Sequence, residues 1–322
     1  MHEAHPQTSD LRLPDLKPEV QSYIAQLKKS LFVIYTKYEV KNRNELAVKV
    51  REGIVDQNDS DRAIDLLRTI NECGKQNEFV YREFEKQLIE QEKQKLAEFF
   101  GRPIEVPPLP NEITEERMVE WMEKRLELHY LPPIDMSKEK NLKNWAKPDF
   151  KSIENFDLFK GVLVLQGCWI LIDGREKPKF DTKKGNQAYE DDDDFLGPVV
   201  KNLRSRGLIE RNTSEPGSRF CVEPRELEHS EVVEGLAKAM GLAPEKVSLP
   251  RMIEFNLIGN IYHPEWGQQP SDCFEWFSDR SDDGRFCLNG CSSRLGGFAF
   301  VRSLDTRNTS IETGFRPMGR FK

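Results

Sequence analysis

No stretch of this sequence holds the roughly 18–20 apolar residues that a membrane span needs. The longest apolar run, Gly161–Ile172, reaches about half that length and reads as a buried strand. Cysteine is scarce: six residues, Cys73, Cys168, Cys221, Cys273, Cys287 and Cys291, make no disulfide framework for 322 residues. Residues 1–10 are polar and lack the apolar segment of a secretory signal. The default compartment is therefore the cytoplasm, with surface display by a leaderless route left open. Positive charge does not dominate either, since 55 acids face 48 bases for a net charge of −7. A general nucleic-acid binder needs a basic face to neutralise phosphates, so nucleic acid is not the expected partner.

The length suggests about two domains. Residues 1–150 read as a helical N-terminal region, a tether, an oligomerisation element or a coupling element. Leu16–Tyr38 carries one apolar stripe at Val20, Ile24, Leu27, Leu31, Ile34 and Tyr35. Asp59-Ser60-Asp61 offers a helix cap, and 77–100 continues as a strongly charged helix. Prolines at 103, 107, 108 and 110 make a rigid connector before a helix over Thr114–Leu128. From about Phe156 the texture changes to an α+β domain over 151–322. After the strand at 161–172 come a helix over Leu196–Leu208, a short strand at Arg219–Val222 and a helix over Ser230–Met240 closed by Gly241. A further helix covers Ser248–Asn260, and short strands and loops follow.

Several constellations could carry chemistry. Cys287 and Cys291 are four apart with Cys273 upstream, but zinc sites prefer C-x-x-C pairs with two further ligands, so no metal site is expected there. Asp191–Asp194 could collect calcium, yet the run lacks the alternation of a calcium loop and suits the positive end of the helix that follows. His263-Pro264-Glu265-Trp266 holds a possible acid–base pair with no nucleophile at informative spacing, and reads as structural. The segment 197–222, with Lys201, Arg204 and Arg206, could form a winged helix, which makes a nucleic-acid-binding regulator the alternative function.

Leu249-Pro-Arg-Met-Ile-Glu-Phe255, Cys273-Phe-Glu-Trp-Phe-Ser-Asp279, Leu295-Gly-Gly-Phe-Ala-Phe-Val301 and Gly314-Phe-Arg-Pro317 follow one another in the last 75 residues or so. In that order and spacing they resemble the variable proteins of diversity-generating retroelements, whose C-terminal domain is a C-type lectin fold of the formylglycine-generating-enzyme type. The likeness covers about 248–322 well and reaches back less firmly to 156. It implies a ligand-binding protein with no catalysis and no cofactor, recognising a macromolecule, a protein first of all, with homo-oligomerisation left open. An oxidase-like enzyme on the same fold is the further alternative, although Cys287 and Cys291 make no recognisable version of that enzyme's cysteine motif.

Composition agrees with the resemblance. Phe277–Pro317 contains no Lys, Gln, Met or Trp and a single Glu, Glu312. These retroelements mutate adenines of template codons of the AAC and AAT type. Changing the first two bases of such a codon cannot give Lys, Gln, Glu, Met or Trp. The resemblance therefore implies a variable region at about 273–313. Its displayed positions would be Phe286, Cys287, Asn289, Cys291, Arg294, Phe298, Phe300, Arg302, Ser303, Leu304, Thr306 and Asn308. Trp276, Asp279, Gly296, Gly297, Phe315 and Arg316 would form the scaffold, with Arg316 donating to buried carbonyls or to Glu275 or Asp279, and Asp279 capping the loop after it. Read as one strand, 298–302 puts Phe298, Phe300 and Arg302 outward and Ala299 and Val301 inward. The opposite assignment, with both phenylalanines in the core, remains open at this stage.

Overall fold

The computed structural model describes residues 54–322, together with Ile34, Lys37, Tyr38 and Lys49, apart from 141, 143, 151–152, 154–155, 176–178, 182–185, 189–192, 211–215, 268–272, 292–295 and 322. Most of the expected Leu16–Tyr38 helix, Asp191, Asp192, Arg294 and Leu295 lie outside the described residues. The chain divides into two compact units, Met1–Leu88 and Ile89–Lys322. The architecture is mixed α+β. Among the described residues, no helix is long and apolar enough to cross a membrane.

Helix α1 runs Gln57–Phe100. Its start is fixed by Asp56, whose Oδ1 accepts from Asp59 N at 2.9 Å, three residues before the expected Asp59-Ser60-Asp61 cap. Helix α2, Glu115–Glu123, begins at Thr114, whose hydroxyl accepts from Arg117 N. It stops five residues before the expected end at Leu128. Arg125 turns the backbone at φ 57°, and Leu126–Leu131 is strand β1. The Leu-Glu-Leu-His-Tyr-Leu alternation has the period of a strand.

Strand β2, Cys168–Asp173, is buried along its whole length, as expected for an apolar strand covered on both faces. It is shorter than the predicted strand, because 161–163 form a turn, Val164 makes only an isolated bridge to Asp135 and 165–167 are irregular. β2 pairs antiparallel with β1 on one side and with the C-terminal strand β10, Met318–Phe321, on the other. β10 in turn pairs with the short β5, Val247–Ser248, giving a sheet of order β1-β2-β10-β5. Strands β3, Lys179–Asp181, and β4, Asn186–Ala188, form a separate ribbon.

Helix α3, Gly197–Ser205, follows a turn in which Asp193 Oδ1 accepts from Leu196 N at 2.9 Å. No strand follows at Arg219–Val222, which is irregular. Helix α4, Ser230–Met240, buries Val232, Leu236, Ala237 and Met240 on one stripe and closes on Gly241 at φ 68°. Helix α5, Met252–Ile261, is buried from Met252 through Gly259 and begins immediately after Pro250-Arg251. The second sheet has the order β8-β7-β6-β9, from β6, Phe274–Arg280, β7, Phe286–Gly290, β8, Val301–Asp305, and β9, Thr313–Gly314.

Candidate functional site

The site expected from sequence centres on β7, β8 and their connection. A tight turn joins β6 to β7: Ser281 N donates to Phe286 O at 3.0 Å, and Gly284 sits at φ 70°, which side-chain-bearing residues resist. Beyond β7 the chain turns at Cys291 (φ 64°), Gly296 (φ 118°) and Gly297 (φ 57°) before entering β8. A side chain at Gly297 would meet the Gly267 carbonyl at 2.9 Å, so this glycine is needed both for its φ and for the close approach.

β8 is an edge strand, and the side chains from Arg302 to Thr306 are half-buried, while Arg307 and Asn308 are exposed. The register pairs Cys287 with Leu304, Asn289 with Arg302 and Leu288 with Ser303. Arg302 and Leu304 therefore share one face of the sheet, and Phe286 and Ser303 share the other. Phe286 does not join Arg302 in a common patch. Arg302 is held in place: its guanidinium lies 3.7 Å over the Phe274 ring and its Nε donates to Asn289 Oδ1 at 2.9 Å. Half-buried Phe300 leans on the same Phe274 ring, with centroids 5.8 Å apart.

Four residues expected on the surface are buried. Cys287, Asn289 and Cys291 are fully enclosed and Phe298 is 5% exposed. The first three lie on the inner strand β7 or at its end, covered on both faces. Phe298 differs from expectation because 297–299 is a 3-10 turn rather than strand, so the period-two alternation begins only at Val301. Its ring fills the space beside two glycines, Gly259 of α5 and Gly267, where any Cβ would collide with it. Phe298 O accepts from the buried Asn256 amide at 2.9 Å.

The scaffold positions are enclosed apart from Gly296, which is exposed. Trp276, Phe315 and Arg316 are at most 1% exposed. Arg316 donates to Glu275 Oε1 at 3.3 Å and to the carbonyls of Asp173 and Arg175, and lies 4.2 Å over the Trp266 ring. Asp279 does not cap the loop after it. It caps α5 from across the fold, accepting from Met252 N at 2.6 Å and from Arg251 Nε at 3.3 Å, and burial raises its carboxyl.

The alternatives meet specific obstacles. Arg204 is 4% exposed and donates to the carbonyls of Glu210, Pro216, Ser218 and Phe220, so it cannot reach a phosphate backbone, and Arg206 pairs with Glu231. Asp193 pairs with Arg219 and Arg175, while Asp191 and Asp192 lie outside the described residues. Burial pushes the Cys287 thiol up to about 12, and its Sγ donates to Phe277 O at 3.0 Å. At pH 8 such a thiol is ionised in only about one molecule in ten thousand. Peptide mapping after brief alkylation of the native chain at pH 8 is therefore expected to leave Cys287 unmodified, with labelling only in denaturant.

One constellation was not anticipated. Period two on β1 brings Glu127 and His129 to one face, and the turn after α5 brings His263 beside them. Their ligating atoms lie within 4.8 Å of one another. Burial alone would lower His129, but Glu127 and Glu92 raise it to about 9. The E-x-H alternation at 127–129 was the available signal. Compared with protein-family models, curated proteins and solved structures, the chain finds no significant match.

Proposed function

We propose that the C-terminal part of this chain is a C-type-lectin-like scaffold that displays diversified side chains to bind a macromolecular ligand, a protein first of all, without catalysis. The observation that carries the reading is the division of labour around β8. Asn308 is exposed and Phe300, Arg302, Leu304 and Thr306 are half-buried, while Trp276, Phe298, Phe315 and Arg316 are enclosed. Aromatic and arginine side chains on a rigid support are the groups that dominate binding energies when a partner desolvates them. Arg302, already docked on Phe274, loses little rotamer freedom on binding. The pairing of the C-terminal β10 with the central β2, and a second sheet of short strands with long connections, also suit a lectin-like scaffold. Among the described residues the displayed set narrows to Phe300, Arg302, Leu304, Thr306 and Asn308, with Phe286 and Ser303 on the other face of the edge, and Arg294, outside the described residues, stays in the proposed set. The N-terminal residues serve in this reading as a tether, an oligomerisation element or a coupling element.

Two measurements test it. Sequencing the flanking DNA is expected to show a second, non-coding copy of the 3′ end, with adenines at codons among 286–309, beside a reverse transcriptase gene. A locus without that copy overturns diversification. Randomising 300, 302, 304, 306 and 308 together is expected to leave the melting temperature within a few degrees of the parent in most clones, since surface substitutions usually stay within about 0.5 kcal/mol each. General loss of folding across that library would remove the basis for a displayed face.

A further inference from the structure

We propose that Glu127, His129 and His263 bind one divalent first-row transition-metal ion, with zinc as the natural probe. The proposal is independent of the ligand-binding face. Glu127 Oε2 lies 3.2 Å from His129 Nε2 and 2.9 Å from His263 Nε2. Metal–ligand bonds of about 2.0–2.2 Å place neighbouring ligand atoms at separations of this order. Two imidazoles and one carboxylate suit zinc, cobalt, nickel or ferrous iron, whereas calcium and magnesium require mostly oxygen ligands.

The surroundings are those of a metal centre rather than of a lone histidine. Each imidazole presents its other nitrogen to a separate carboxylate: His129 Nδ1 is 3.2 Å from Glu92 Oε1, and His263 Nδ1 is 2.9 Å from Glu265 Oε1. Such a carboxylate fixes the tautomer with Nδ1 protonated, turns the Nε2 lone pair inward and raises its basicity. Glu92 is fixed in turn, accepting from Tyr262 OH at 2.6 Å and from Tyr130 N at 2.9 Å. Both rings are clamped by stacking, His129 on Tyr262 at 3.9 Å and His263 on Trp266 at 4.2 Å. Three carboxylates converge on two imidazoles, leaving an excess of negative charge even with both imidazoles protonated, and a divalent ion compensates it. The Glu127 side chain is 42% exposed while the histidine side chains are about 10% exposed, so the ion has a path from solvent and at least one coordination position left for water. Gly174 contributes by absence, since a Cβ there would collide with the Glu127 carboxylate.

The test uses the full chain, stripped with a chelator and titrated with zinc alone by calorimetry. One zinc per chain is expected, with the unfolding temperature rising on addition. Glu127→Ala and His263→Ala are each expected to weaken zinc by about 100-fold or more, and Glu265→Gln, which loses only an outer partner, by about 10-fold. Cobalt should give the visible spectrum of a four- or five-coordinate ion in the parent and lose it in Glu127→Ala. Absence of zinc binding by the parent overturns the proposal. Equal binding by the parent, Glu127→Ala and His263→Ala overturns it too, because the ion then sits elsewhere. Should His263→Ala fail to fold, Glu127→Gln decides the matter, since its side chain is partly exposed and the exchange preserves its shape.

Discussion

Asp173→Ala is expected to lower the unfolding free energy by about 3–5 kcal/mol, a large fraction of the about 5–15 kcal/mol typical of a folded domain. Asp173 ends β2 and is fully buried. Its Oδ2 accepts from Arg175 Nη2 at 2.7 Å and from Arg219 Nη2 at 2.8 Å, and its Oδ1 from Arg175 Nε at 2.8 Å. Arg219, also fully buried, is shared with Asp193 through Nε at 2.7 Å. Removing Asp173 leaves two guanidinium groups, Arg219 fully buried and Arg175 largely so, with one carboxylate between them, so the cost is the desolvation of unpaired charge rather than the loss of a favourable pair. Urea midpoints measure it. Replacing Asp173 and Arg219 together by apolar residues should cost less than the sum of the single changes. Additive costs would show that the two act independently.

The same carboxyl contributes to the response to acid. Burial by itself would raise it, but Arg219, then Arg175 and Arg316, hold it well below the ordinary carboxylate range. A carboxyl depressed in the folded state contributes stability above its unfolded value of about 3.9 and loses it as pH falls through the folded value. Asp193 is lowered in the same direction, against its burial, by Arg219. The parent is therefore expected to lose stability below about pH 4, and Asp173→Ala less steeply, because one buried depressed carboxyl is gone.

What the sequence made legible follows from range. Local signals translated directly into structure in the apolar stripe and terminal glycine of Ser230–Met240, whereas the helix expected from Ser248 begins at Met252, because Val247–Ser248 pairs with the C-terminal strand. Signals that depend on distant chain were not readable. Asp279 acts on the start of α5, 27 residues upstream in sequence. Asn289 and Cys287, of types expected at a variable surface, are enclosed because β7 lies between two other strands and is covered on both faces. Glu127 falls at the end of the helix expected over Thr114–Leu128 and His129 just beyond it, and nothing local marks their meeting with His263, 136 residues from Glu127. The Phe298–Arg302 alternation misled for a different reason. Two glycines at positive φ start a 3-10 turn, and the strand period cannot begin until the turn ends.

That turn gives the second large effect. Phe298→Ala is expected to cost about 3–5 kcal/mol, as for other enclosed phenylalanines, whereas Phe300→Ala, two residues on and half-buried, should cost about 1 kcal/mol or less in stability and act on ligand binding instead. The contrast separates core from display at positions two residues apart in the same connection. Gly259 supplies the sharper test. In the parent, Gly259→Ala drives a Cβ into the Phe298 ring within a closed core and must destabilise. In Phe298→Ala the ring is gone, so the same methyl partly fills the cavity and also gains about 1 kcal/mol of helix propensity within α5. The sign of Gly259→Ala is therefore expected to reverse between the two backgrounds in a double-mutant cycle read by urea unfolding. An unchanged sign would mean that the Phe298 ring does not occupy that space, and residues 298–302 would then have to be read again as a continuous outward-facing strand.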